Sequence, residues 1–259
     1  MTVGSDAVMD LRDRATALAD LHAAPELLVL ANVWDVFSAT TVAGVPGCRA
    51  LATASHSIAA TFGYPDGEHI PADLMLDMVG RIAAAVDLPV TADLEAGYGD
   101  SGTTTAMAID VGIVGANLED QMKPLDEAVA SVAAAVAAGE AAGVPFVLNA
   151  RTDAFVRAGE RDPDDVVADA IERGRAFLDA GATCVFAPGR LDLPTIERLV
   201  AGIGDRKVSV IGFPGTPSHA ELAQAGVARI SYGPLPQRLA MDALAQAAAN
   251  VLSGRTLSG

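Results

Sequence analysis

Cysteine is scarce in this sequence. Cys48 and Cys184 are the only two, and each lies within an apolar, strand-like run. Such positions favour buried thiols over a disulfide, and two distant cysteines do not provide the closely spaced thiolates of a metal site.

Positive charge is also in short supply. Lys and Arg total 17 against 33 Asp and Glu, which gives a formal net charge of -16. A chain this acidic repels phosphate backbones and anionic lipids, so neither nucleic acid nor a membrane is an expected partner. The only lysines are Lys123 and Lys207, and neither belongs to the inward-facing polar sets described below, which disfavours Schiff-base aldolase chemistry.

Long hydrophobic runs and common hydrolase motifs are absent too. No apolar stretch approaches the ~20 residues of a membrane-spanning helix, and the first 15 residues contain no apolar signal region. Neither G-x-S-x-G nor H-E-x-x-H occurs. Because 51% of the 259 residues are hydrophobic, a sizeable core can form, and we expect a soluble cytoplasmic protein.

What the sequence does contain is a regular alternation of apolar strands and amphipathic helices. An opening helix over residues 6–22 has apolar residues at helical spacing, among them Leu11 and Leu18. Eight strand-and-helix units follow without a linker or a shift in composition. This alternation indicates a parallel sheet, and about 250 residues is the usual size of a TIM-type barrel.

We therefore predict an α/β fold of one domain, in which an N-terminal helix (residues 1–24) packs on a (β/α)8 catalytic barrel (residues 25–259). The predicted strands are 27–31, 49–53, 89–93, 114–118, 145–150, 183–187, 207–211 and 228–232; their helices are 35–43, 72–86, 103–111, 125–142, 164–180, 192–202, 218–225 and 235–252. The long connection after the second strand is typical of a functional loop. The alternative is a doubly wound open sheet, but no G-x-G-x-x-G fingerprint follows the first strand.

Polar side chains collect where the predicted strands end. Strand side chains alternate between two faces, and the carboxyl ends of barrel strands meet at one mouth. The inward-facing sets are Asp93/Glu95, Asn117/Glu119 and Asn149/Arg151/Asp153, joined by Ser55, His56 and Asp66 from the long connection. The residues expected to face the helices instead are all apolar: Val90, Ala92, Leu94, Leu118, Phe146, Leu148 and Ala150.

Four of these side chains are carboxylates: Asp66, Asp93, Glu95 and Glu119. Together at one mouth they would repel one another unless a cation neutralised them. Because no histidine-rich or thiolate set is available, the predicted cofactor is Mg2+, or Mn2+. On local pattern alone, an acidic helix N-terminus explains Asp93 and Glu95 about as well.

Arg151 is the only arginine among the predicted inward positions. Its planar guanidinium suits two-point capture of a carboxylate, and a metal with one arginine fits a small α-oxo or α-hydroxy acid. Arg151 could instead pair with Glu119 or Asp153. Trp34 fits the floor of a pocket and an ordinary core position equally well.

With these residues assembled, residues 25–253 resemble the isocitrate lyase/phosphoenolpyruvate mutase superfamily. The resemblance rests on NVWD (32–35), GYPD (63–66), TADLEAGYG (91–99), GANLED (115–120) and NARTD (149–153). It implies a barrel enzyme that binds Mg2+ and an α-oxocarboxylate, and that makes or breaks a carbon-carbon or carbon-phosphorus bond through a metal-stabilised enolate. It also implies a homo-oligomer, a dimer or a tetramer, with the last helix exchanged between subunits.

The resemblance assigns roles as well. Asp93 would be the direct metal ligand, and Asp66, Glu95 and Glu119 would hold its waters. The candidate substrate-binding residues are Trp34, Ala54, Ser55, Asn117, Asn149 and Arg151, with backbone amides near Ala54 and Ser55 holding one end of the substrate. The candidate catalytic residues are Arg151, Glu119, Asp66 and Lys123.

One departure bears on the reaction. After the position of Glu119, the superfamily's lyases carry a mobile Lys-Cys-Gly-His loop and its phosphonate mutases carry Lys-Thr-Asn, whereas this chain reads QMKPLD at 121–126. Lys123 is the nearest substitute, unless it is a solvated surface lysine. The leading hypothesis is a Mg2+-dependent lyase or decarboxylase of a small oxo or hydroxy dicarboxylate that does not cleave isocitrate or methylisocitrate. The alternatives are a carbon-phosphorus mutase or hydrolase, and a barrel that binds metal and oxo acid without catalysis.

Overall fold

The computed structural model describes residues 10–256, and its first element is the predicted N-terminal helix. Helix α1 (Leu11–Ala23) begins after Asp10, whose side chain accepts a hydrogen bond from the Asp13 N–H at 2.8 Å. Its buried residues, Leu18 among them, pack with apolar residues of the barrel strands. The predicted start of this helix, residues 6–9, lies outside the described range.

The strands among residues 10–256 form one parallel sheet that wraps into a barrel. They are β1 (Leu28–Leu30), β2 (Asn32–Val33), β3 (Leu51–Thr53), β4 (Val90–Asp93), β5 (Gly115–Glu119), β6 (Val147–Arg151), β7 (Cys184–Phe186), β8 (Val208–Ile211) and β9 (Val227–Ser231). Their order in the sheet is β1-β9-β8-β7-β6-β5-β4-β3-β2. Only Ala31 separates β1 from β2; β1 pairs with β9, and β2 pairs with β3. The predicted (β/α)8 barrel is confirmed, with its first strand split across the seam.

The remaining helices alternate with these strands. They are α2 (Val36–Ala43), α3 (Ser55–Thr61), α4 (Ala72–Ala84), α5 (Ser101–Asp110), α6 (Leu125–Ala141), α7 (Pro163–Asp179), α8 (Leu193–Ile203), α9 (His219–Gln224) and α10 (Leu235–Leu252). Asp35 caps α2, because its side chain accepts from the Ser38 N–H at 2.7 Å. Helix α3 was not predicted; it occupies the first part of the long connection after β3. None of the described helices has the length and apolar character needed to span a membrane.

Apolar side chains fill the layer between strands and helices. Val90 and Ala92 of β4 pack with residues of α4, and Leu118, Leu148 and Ala150 of β5 and β6 pack with residues of α6 and α7. These positions face the helices as predicted. The alternate positions of the same strands are therefore left for the interior of the barrel and its mouth.

Helix α10 lies apart from this core. None of its residues is buried, and Leu239, Leu244 and Leu252 expose 60%, 60% and 87% of their surface. Its first turn contacts the barrel through Gln237, whose side-chain amide donates to Ser57 O at 3.0 Å. A single copy of the chain therefore presents an apolar helix to solvent.

Candidate active site

A cavity of about 180 Å3 opens where the carboxyl ends of the strands meet. It is lined by Asn32, Ala54, Ser55, His56, Asp66, Asp93, Asn117, Arg151, Phe186, Pro188, Ile211, Ser231, Gly233 and Pro234. Seven of the residues predicted from the sequence are on this wall: Ala54, Ser55, His56, Asp66, Asp93, Asn117 and Arg151. The parallel topology thus brings together groups that are far apart in the chain.

Asp93 is the last residue of β4; helix α3 holds its carboxylate, and strand β3 holds its backbone N–H. Oδ2 accepts hydrogen bonds from Ser55 Oγ at 2.7 Å and from the Ser55 N–H at 3.2 Å. The Asp93 N–H donates to Thr53 Oγ1 at 3.0 Å. Within residues 10–256 no group donates to Oδ1, so this oxygen is available to a ligand. Ser55 therefore orients Asp93, and its expected role in substrate binding stays a prediction.

Glu95 lies near Asp93, but it follows the end of the strand, where the alternation of side chains between two faces no longer applies. β4 ends at Asp93, and Glu95 has a left-handed backbone with a φ of 52°. Its buried carboxylate accepts hydrogen bonds from the Tyr98 hydroxyl at 3.1 Å and from the Glu68 N–H. Burial, together with the charge of Asp93, raises the pKa of Glu95 to about 7. The prediction that the two carboxylates share a strand face was wrong, although they lie close enough to interact.

Arg151 ends β6 between two carboxylates. Its Nη1 lies 2.7 Å from Glu119 Oε2, and its Nη2 lies 2.7 Å from Asp153 Oδ1, to which Nε also donates. The ion pairs that were the alternative to substrate capture are therefore present. Burial raises the pKa of Glu119 to about 7, against the lowering effect of Arg151. These pairs fix the guanidinium in one orientation at the cavity wall.

A second arginine lies in the barrel interior. Arg229 of β9 is 1% exposed and donates from Nη2 to Asn117 Oδ1 at 3.3 Å. Asn149 Nδ2 donates to the same oxygen at 2.8 Å. Arg229 is therefore a second inward-facing guanidinium, which the predicted inward positions did not include.

Five of the predicted site residues do not line the cavity: Trp34, Glu95, Glu119, Lys123 and Asn149. Trp34 packs against the apolar core next to α2 and α4, which matches the alternative given for it. Asn149 is fully buried. Lys123 lies in the turn after β5, where its N–H donates to Asp120 O at 2.9 Å.

Two polar residues of the cavity wall were missed. Asn32 Oδ1 accepts from the N–H groups of Tyr232 and Gly233 at 2.7 and 2.8 Å, and its Nδ2 donates to Thr53 O at 2.9 Å. Ser231 ends β9. The signal that identified Asp93, a polar residue at the end of an apolar strand, also applies to these two.

The carboxylates suit a hydrated divalent cation. Among the side chains that the structure describes, no three from His, Cys, Asp and Glu lie close enough to enclose a metal ion. Mg2+ keeps several waters and takes one or two carboxylates directly. Asp93 Oδ1, which accepts no hydrogen bond from the described residues, could bind the ion directly. The charges of Asp93 and Asp66 both act on Glu95, so the three carboxylates lie near one another, which fits that preference.

Comparison with known proteins assigns the chain to a family. Residues 18–252 match the phosphoenolpyruvate phosphomutase family. The uncharacterized protein Rv1998c of Mycobacterium tuberculosis is 31% identical over 241 residues, which cover 92% of this chain and 90% of that protein. A solved structure named as a candidate phosphonomutase of Burkholderia cenocepacia has a TM-score of 0.86 at 41% identity, covering 95% of this chain and 100% of that one. Oxaloacetate acetylhydrolase in complex with oxalate has a TM-score of 0.84 at 26% identity, covering 95% and 89%.

Other relatives carry the names of enzymes. They include proteins named 2-methylisocitrate lyase, oxaloacetate decarboxylase and phosphonopyruvate hydrolase. The family match spans nearly the whole described chain, and the barrel fold agrees with it. The chain belongs to the phosphoenolpyruvate mutase/isocitrate lyase superfamily.

Proposed function

We propose that this protein is a Mg2+-dependent lyase or decarboxylase that acts on a small α-oxo or α-hydroxy dicarboxylate and releases a pyruvate-like product. The observation that carries the proposal is the shared cavity of Asp93, Asn117 and Arg151. A carboxylate, an amide and a guanidinium face one space of about 180 Å3. These groups match the oxo group and the carboxylates of a compact acid.

The side chains have separate tasks in this reaction. Ser55 holds Asp93 so that one carboxylate oxygen stays directed at the cavity. A Mg2+ ion at that oxygen would supply a Lewis acid for the oxo group. Arg151, fixed by Glu119 and Asp153, meets the substrate without reorganisation. Charge placed in advance in this way stabilises the developing enolate.

The segment after β5 favours a reaction whose carbanion is protonated by water. The Met122 N–H donates to Asp120 Oδ1 at 2.9 Å, and Arg173 Nη1 lies 3.2 Å from Asp120 Oδ2. The same Nη1 donates to Lys123 O at 3.0 Å. This turn is therefore short, is fastened to α7, and carries no cysteine. Decarboxylation of oxaloacetate tolerates such a site better than cleavage that needs a positioned acid.

A second candidate is a mutase or hydrolase of a carbon-phosphorus bond. It is favoured by the 41% identity to the candidate phosphonomutase and by the relative named phosphonopyruvate hydrolase. Both reactions need a metal and an enolate-stabilising cation, so the cavity groups do not separate them.

A substrate panel separates the candidates. Purified protein is given oxaloacetate, citramalate-like acids or phosphonopyruvate, with and without Mg2+, while pyruvate and phosphate are measured. The leading proposal expects Mg2+-dependent pyruvate from an oxo or hydroxy acid, and none from the Asp93→Ala control. Phosphate or a rearranged phosphate ester from phosphonopyruvate would favour the second candidate. Oxalate binding without any turnover would point to a barrel that binds metal and oxo acid only.

The apolar exposure of α10 supports a homo-oligomer. Leu239 and Leu244 each expose 60% of their surface on a helix with no buried residue, and a second copy of the chain would cover them. Light scattering after gel filtration should give a dimer or a tetramer. Leu239→Glu combined with Leu244→Glu should lower the mass toward one chain, while a doubly substituted protein of unchanged mass would contradict this role of α10.

A further inference from the structure

Arg229 is a buried cation that has no ion-pair partner among residues 10–256. It is 1% exposed, and its Nε and Nη1 have no hydrogen-bond partner among the described residues. Burial lowers the pKa of Arg229 to about 10, so it remains charged at neutral pH. Burying a charge without a partner costs free energy. Among the described residues, the hydrogen bond that Arg229 makes is the one to Asn117.

A β-bulge directs this side chain into the barrel. Val208 pairs with Val227 and Ser209 pairs with Arg229, so β9 carries Ala228 as one extra residue. Val208 and Val227 face the helices, where they belong to the same apolar cluster. The extra residue changes the alternation, so that Arg229 faces inward.

The bond to Arg229 determines which way the Asn117 amide points. Asn117 Oδ1 accepts from Arg229 Nη2 at 3.3 Å and from Asn149 Nδ2 at 2.8 Å. A guanidinium has donors and no acceptor, so the Asn117 atom that meets it must be the oxygen. The opposite orientation would set the Asn117 NH2 group against the guanidinium donors. Asn149 does not decide the orientation, because its amide can turn to present an oxygen that has no hydrogen-bond partner among the described residues. The NH2 group is therefore left for the cavity, which Asn117 lines.

We propose that Arg229 is a positioning residue that fixes the Asn117 amide with its NH2 group toward the cavity, where it donates to an anionic oxygen of the substrate. This inference rests on the proposed function for the identity of the acceptor, a carboxylate or enolate oxygen. With the amide locked, the cavity offers a donor of fixed direction. Without Arg229, the amide can turn and present its oxygen to an anion, which would be repelled.

A double-mutant cycle on oxalate binding tests the inference. With Mg2+ present, Arg229→Met should weaken oxalate binding about tenfold, the loss of one hydrogen bond to a charged group. Arg229→Lys, which keeps a cationic donor, should lose less. In an Asn117→Ala background, Arg229→Met should cause no further loss, because the amide it orients is gone. If Arg229→Met weakened oxalate binding as much in the Asn117→Ala background as in the wild type, the inference would be overturned.

Two controls separate positioning from general damage. Leu199→Ala removes a fully buried side chain on α8, away from the cavity; it should lower Tm and leave oxalate affinity unchanged. If the wild-type protein neither binds oxalate nor turns over the panel, the proposed function fails. The inference is then decided by the side-chain NMR signals of the Asn117 NH2 group, identified by their loss in Asn117→Ala. The chemical shifts of these signals should change in Arg229→Met and stay the same in Arg229→Lys. Unchanged shifts in Arg229→Met would refute the inference that Arg229 fixes the Asn117 amide.

Discussion

Mild acid should destabilise the protein through one buried histidine. His22, near the end of α1, is 3% exposed, and its Nδ1 lies 2.9 Å from Leu18 O. A carbonyl oxygen only accepts hydrogen bonds, so Nδ1 carries the proton and Nε2 is the acceptor nitrogen. Nε2 has no partner within residues 10–256. Protonation there would bury a second cation near Arg229.

The size of the effect follows from the pKa of His22. Burial, and then the charges of Arg229, Arg206 and Lys207, lowers that pKa from 6.5 to about 4. The unfolded chain therefore binds the proton at a higher pH than the folded chain. Stability is unaffected above 6.5, the pKa of His22 in the unfolded chain, and falls as the pH drops from there toward about 4. Each pKa unit corresponds to about 1.4 kcal/mol. The free energy of unfolding should lose about 2 kcal/mol by about pH 5 and about 3 kcal/mol by about pH 4.

Urea unfolding from neutral pH to about pH 4 measures this loss. The difference between wild type and His22→Leu isolates the histidine, because both proteins share the other titrating groups. His69→Gln is the matched control, since His69 is exposed, and its curve should follow the wild type. If the wild-type and His22→Leu curves ran parallel over this range, protonation of His22 would carry no cost in the folded chain and the reasoning would be refuted.

The remaining predictions concern the site. By calorimetry, Asp93→Ala should abolish Mg2+ binding and Glu119→Gln should weaken it with the fold intact by circular dichroism; unchanged affinity in Asp93→Ala would defeat the metal assignment. Arg151→Lys should weaken oxalate binding by about 1–3 kcal/mol, whereas equal affinity would leave Arg151 a structural ion pair. Purified protein with Mg2+ should not cleave isocitrate or methylisocitrate; trapped glyoxylate or pyruvate at about one turnover per second or faster would contradict this. Gly97→Ala should destabilise the protein more than Gly99→Ala, although both glycines have a φ near 90°. A Cβ at Gly97 would meet Ser101 Cα at 2.7 Å, whereas a Cβ at Gly99 meets no atom within 4 Å. Equal melting temperatures of the two variants would exclude the clash.

The barrel could be predicted because its signals are local. Apolar alternation along β4, β5 and β6 indicated which residues face the helices, and Asp35 marked the start of α2. The same alternation placed Asp93, Asn117 and Arg151 at the mouth, where they now line one cavity. These predictions needed only the period of a strand and the parallel topology.

The errors arose where the backbone leaves regular geometry. Glu95 follows the end of β4 in a left-handed conformation, so counting by twos no longer applied. Arg229 faces inward because of a bulge that depends on pairing with β8. Helix α3 begins at Ser55, whose hydroxyl and N–H both bond to Asp93, a contact across 38 residues. A bulge and a long-range hydrogen bond are set by tertiary contacts, and no local pattern reveals them.

The seam of the barrel has a consequence for how the chain folds. Residues of β1 pair with β9, and Asn32 accepts hydrogen bonds from N–H groups 200 and 201 residues later in the chain. Contacts so distant in sequence must close a very long loop, which makes them slow to form. Until β9 has been synthesised, the earlier strands form an open sheet with two free edges, and such edges pair readily with other chains. The soluble yield should therefore depend on how soon the last strand arrives, and a chain that stops before β9 should aggregate rather than form a smaller barrel.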